Sequence, residues 1–96
     1  MKMGKMQKQE WIYDYIKRNE YIDIFNAEFV DSYIKVCAPN TVYYQPYGAH
    51  TVPEIGRYLS EMYKNNLLER FRVPLAYQYS GFPTWCYVYH IKRKKV

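Results

Sequence analysis

The stretch Thr51-Val52-Pro53-Glu54-Ile55-Gly56-Arg57-Tyr58-Leu59-Ser60-Glu61-Met62-Tyr63-Lys64-Asn65-Asn66 reads as one complete helix with its start and its stop written into it. Thr51 and Glu54 fit a capping box, in which the threonine oxygen accepts from the backbone at Glu54 and the Glu54 carboxylate reaches back. Pro53 is harmless in a first turn, where its missing N–H has no partner to lose. Ile55, Leu59, Met62 and Tyr63 fall on one face, and Arg57, Tyr58, Ser60, Glu61 and Lys64 lie off it. Asn65-Asn66 ends the helix, because after glycine asparagine best tolerates the left-handed position there.

Downstream, Leu68 to Val73 and Thr84 to Ile91 read as two strands, the second alternating Trp85, Tyr87, Tyr89 and Ile91 with Thr84, Cys86, Val88 and His90. The turn signal Ser80-Gly81 lies between them, so the pair is a hairpin with a loop of several residues. Upstream, Ile12, Tyr15 and Ile16 with Trp11 beside them predict an amphipathic helix from about residue 6 to 19. Tyr21 to Phe25 is too short to read as more than an extended link. Asn26 caps a second helix, Phe25 packs on Val30 as a staple, and Phe29, Val30, Tyr33, Ile34 and Cys37 form its inner face. Pro39 stops it. Residues 39 to 50, with two prolines, a glycine and no period, read as a loop.

The 96 residues suit a single domain with basic ends, at about residues 1–5 and 92–96. No apolar run approaches the roughly 20 residues of a membrane helix, and the basic start leads into Glu10 and Asp14 rather than an apolar signal segment. The expected compartment is therefore intracellular, that is, cytoplasmic. The two cysteines, Cys37 and Cys86, are either buried thiols or one disulfide.

The net charge of +5 is unevenly spread. Lys2, Lys5, Lys8, Lys92, Arg93, Lys94 and Lys95 supply half of the 14 basic residues, and residues 9 to 91 hold seven basic against nine acidic ones. The body is not basic. Its first half is acidic and its second slightly basic, so a polyanion should meet the second half and the ends.

The order helix, helix, helix, hairpin resembles a winged helix-turn-helix domain, and from Ile55 to Arg70 the resemblance becomes specific. The apolar pair Leu59 and Met62, the helix end, the aliphatic Leu67-Leu68 and a charged first strand are similar to that family's recognition helix and the strand after it. Asn66 stands where the family usually has glycine, and Trp85 to Ile91 looks like the returning strand of the wing. The connection of about a dozen residues before the third helix departs from the family's short turn. The resemblance implies an α+β fold, three helices followed by a two-stranded β-hairpin wing. It also implies sequence-specific binding of double-stranded DNA by a small transcription regulator, without a cofactor or enzymatic activity, of the kind found in phages, archaeal viruses and mobile elements.

On this reading the helix offers Thr51, Arg57, Tyr58, Ser60, Glu61 and Lys64 to DNA, with Arg57 matched to a guanine edge and Lys64, Arg70 and Arg72 to phosphates. The wing adds Tyr77, Gln78 and Tyr79, and the C-terminal end Lys92, Arg93, Lys94 and Lys95. A protein-interaction module is the competing class. Its surface would be Trp11, Tyr13, Tyr43, Tyr44 and Tyr47, with Trp11 and Tyr13 also motivating a homodimer. Charge placement separates the two: a continuous face of Arg57, Lys64, Arg70 and Arg72 favours DNA, and interruption by Glu54, Glu61 and Glu69 favours a protein partner. Metal binding has little support, since Cys86 and His90 share a strand face but stand roughly 13 Å apart along it.

Overall fold

Three helices each bury one apolar stripe against a common core, and a small sheet closes it. In the computed structural model, which describes residues 3–24, 26–39, 52–74 and 85–92, the order is α1 (Lys5–Asn19), β1 (Tyr21–Asp23), α2 (Ala27–Cys37), α3 (Pro53–Lys64), β2 (Leu68–Pro74) and β3 (Trp85–Ile91). The chain is α+β, with an antiparallel three-stranded sheet in the order β1-β3-β2. Ile12 and Ile16 of α1, Phe29, Val30 and Tyr33 of α2, and Ile55, Leu59 and Met62 of α3 meet Ile22, Leu68 and Tyr89 of the sheet in one buried cluster.

The third strand corrects the two-stranded expectation. Tyr21 to Asp23 is not a mere link: it pairs with β3, Ile22 opposite Tyr89. Three residues carry too little periodicity to declare a strand, and what makes them one is the free edge of β3 more than sixty residues away. The hairpin itself follows the alternation, with Leu68 opposite Ile91, Arg70 opposite Tyr89 and Arg72 opposite Tyr87.

Local signals explain most of the ends. The Asn26 side chain accepts from the Phe29 N–H at 3.0 Å and starts α2; the staple partner Phe25 lies outside the described residues. At the end of α3, Asn66 has φ 64°, the Asn66 N–H donates to Tyr63 at 3.1 Å, and the Leu67 N–H donates to Met62 at 2.9 Å. These are the two bonds that close a helix through a left-handed residue, and they turn the chain directly into β2.

The start of α3 differs from the capping box. Its cap is Val52, without a side-chain bond, and Thr51 lies outside the described residues. Glu54 serves long-range partners. Its carboxylate accepts from the Tyr33 hydroxyl at 2.7 Å and from the Lys8 ammonium at 3.2 and 3.3 Å, tying α3 to α2 and α1 together. A charged amine and a phenol offer a carboxylate stronger hydrogen bonds than a neutral backbone amide does. Burial, with the bond to Glu54, pushes the Tyr33 pKa up and keeps the phenol a donor.

Candidate nucleic-acid interface

At roughly 100° per residue, the inward Ile55, Leu59 and Met62 put Arg57, Ser60 and Lys64 on the opposite side of α3. Arg57 and Lys64 are exposed and Ser60 is half-buried. The two flanks of this strip differ in character. Glu54 and Glu61 lie on one, facing α1, and Gly56 and Tyr63 on the other, facing the hairpin.

The borders of the inward arc are shifted by one residue from expectation. Tyr58 packs against the core instead of facing outward, and Tyr63 is 38% exposed instead of buried. Helical period gives an angle, but the neighbours decide how wide an arc they cover. Here the Tyr63 flank meets a charged group, Arg70.

That contact opens a row of stacked side chains on the inner face of the hairpin. The Arg70 guanidinium carbon lies 3.9 Å from the centroid of the Tyr63 ring and 4.0 Å from that of Tyr87. Arg72 lies 4.3 Å from the Trp85 ring, which meets Tyr87 edge-on at 4.9 Å. Arg70 also hydrogen-bonds Tyr89; burial alone would lower its pKa, but that bond and the tyrosines around it raise it. Both arginines reach diagonally, each to the ring opposite the residue two places further along β2. Tyr63, Trp85 and Tyr87 were absent from the expected site residues. For Trp85 and Tyr87 the signal was present in the alternation of both strands, but only the register shows that arginines and rings share a face.

The glutamates do not divide this surface. Glu61 pairs with Lys5, and Glu54 with Lys8. Glu69 is opposite His90, on the other face of the sheet from Arg70 and Arg72. Lys92 is exposed beside the end of α3, its ammonium 3.4 Å from the Asn66 side-chain oxygen.

Of the expected protein-contact residues, Trp11 is half-buried among Tyr15, Phe29 and Tyr33, with ring centroids 5.3, 6.1 and 5.7 Å away, and Tyr13 also packs on the core. The directions off the Ile12 and Ile16 face are covered by α2 on the Trp11 side, so that indole packs partly against the core. Thr51, Tyr43, Tyr44, Tyr47, Tyr77, Gln78, Tyr79, Arg93, Lys94 and Lys95 lie outside the described residues. Cys37 and Cys86 are both buried free thiols, with burial pushing Cys37 up to about 11. Among the described residues no group of three His, Cys, Asp or Glu side chains is placed to hold a metal ion, and no helix is long and apolar enough to cross a membrane.

Comparison with protein-family models, characterised proteins and solved structures finds no match to this chain.

Proposed function

We propose that the chain is a winged-helix protein that binds double-stranded DNA, with α3 as the reading helix and the β2–β3 hairpin as its wing. The observation that carries this reading is the placement of charge: Arg57 and Lys64 lie on the outward strip of α3, Arg70 packs on Tyr63 at its flank with Arg72 further along the same strand face, and Glu54 and Glu61 face α1 and are paired with its lysines. A surface of this kind attracts phosphate, and an α-helix fits a major groove. A role as a transcription regulator, in a phage, archaeal virus or mobile element, follows the same resemblance.

The test is binding to a random-sequence duplex by fluorescence anisotropy across a salt series. The expected result is an affinity whose logarithm falls linearly with log salt, at a slope of about 0.9 per neutralised phosphate. No binding at low salt would end the DNA reading.

The protein-interaction reading is favoured by one observation. On the outer face of the sheet, Tyr21 is 61% and Phe71 49% exposed, side chains of a kind enriched where proteins meet. A self-pair through such a surface would appear as a dimer mass by light scattering without DNA.

A further inference from the structure

We propose that Arg70 and Arg72 form a preset pair of phosphate clamps that follow one strand of the duplex, held in aim by Tyr63, Tyr87 and Trp85, and that Tyr63 thereby fixes the register of α3 on the DNA. The inference rests on the duplex-binding reading and adds to it which groups set position and how.

The geometry has three parts. First, the two arginines occupy one face of β2 two residues apart, about 7 Å at the strand's rise of roughly 3.4 Å per residue. That spacing is close to the step between successive phosphates along a strand. Second, guanidinium carbons 3.9, 4.0 and 4.3 Å from the ring centroids suit face-on stacking, which leaves available the N–H edges that grip a phosphate oxygen pair. Arg70 gives part of its edge to Tyr89; Arg72 is exposed. Third, the row begins on α3. Tyr63 is on the last turn of the helix and stacks on Arg70, so the position of the clamp and that of the helix are mechanically one. A long arginine side chain that must be frozen on binding loses rotamer entropy, and one already held between two rings loses less.

Lysine cannot replace arginine in this arrangement, because an ammonium neither lies flat between rings nor offers a planar fork. Charge alone would predict the opposite, that the lysine variant binds normally. The neutral Tyr63 likewise gains a role that charge counting denies it.

The experiment is the same anisotropy salt series on wild type, Arg70→Ala/Arg72→Ala, Arg70→Lys/Arg72→Lys, Tyr63→Leu and Tyr63→Leu/Arg70→Ala, each checked for folding by circular dichroism. The alanine pair should lower the salt slope by about two. The lysine pair should keep the wild-type slope but bind at least several-fold more weakly. Tyr63→Leu should also weaken binding at unchanged slope, and should add nothing once Arg70 is alanine. A wild-type protein that binds with a salt slope left unaltered by the alanine pair overturns the clamp and spares the duplex reading. Lysine variants as tight as wild type, or a Tyr63 effect that adds fully to that of Arg70, overturn the aiming role. Failure of wild type to bind any duplex removes both. Should the alanine pair not fold, the lysine pair and Tyr63→Leu decide.

Discussion

Arg57 is placed to distinguish reading from holding. It is exposed on the outward strip of α3, two residues from the buried Ile55 and two from the buried Leu59. A planar fork there can make two bonds to one guanine edge, worth about 1 to 3 kcal/mol of discrimination. Arg57→Ala should therefore cost preferred duplexes much more than random ones, whereas Lys64→Ala should weaken both alike. Competition titrations with the two kinds of duplex measure the difference. Equal losses for Arg57→Ala would remove α3 as the reader. Gly56 makes a different test. A methyl group built there has nothing within 4 Å, so internal packing does not require glycine, and in mid-helix it costs about 1 kcal/mol relative to alanine. Gly56→Ala should raise thermal stability and, because this flank lies beside the Tyr63 stack, weaken duplex binding. A more stable variant with unchanged affinity would place the DNA away from this flank.

At the scale of elements, the end of α3 is the joint on which the proposed interface turns. Asn66, at φ 64°, sends the chain from the helix into β2, and with it brings Arg70 under Tyr63. A residue with a Cβ and no local polar compensation is disfavoured there by about 1 kcal/mol or more. Asn66→Ala should lower the denaturation midpoint, and Asn66→Gly should leave it unchanged or raise it; a tolerated alanine would deny the joint its conformational requirement. This end of the helix was legible in the residues, because Asn-Asn after an apolar period states a local backbone preference. The other end was not. The Thr51 and Glu54 pattern matches a capping box, yet Glu54 is taken by Tyr33 and Lys8, residues 21 and 46 positions away. The same limit applies to β1, whose three residues become a strand only by meeting β3.

For the whole molecule, charge divides between the surface of α3 with the hairpin and the terminal residues. Lys5 and Lys92 are engaged by the fold, the first with Glu61 and the second through its backbone N–H to Leu67 at 3.3 Å. Removing residues 1–2 and 93–96 therefore takes away Lys2, Arg93, Lys94 and Lys95 while sparing both contacts. The shortened protein should bind all duplexes more weakly by one common factor, with a flatter salt dependence, since phosphate contacts carry no base preference. Unchanged affinity would confine the interface to α3 and the hairpin; a loss restricted to particular sequences would give the ends a reading role.

The residues alone determined three helices, the centres of their buried faces, the Asn26 cap, the Asn66 stop and the β2–β3 hairpin. Each follows from a period or a backbone preference that spans only a few neighbours. Tertiary structure decided the third strand, the packing of Trp11 against α2, the exchange of Tyr58 and Tyr63 across the border of the core, and the contacts of Arg70 and Arg72 with aromatic rings. Those depend on which groups from distant parts of the chain arrive at the same point. Local periodicity sets the direction in which a side chain leaves its element, but the partner waiting there, and so its burial, charge state and chemical use, is set only when the elements pack.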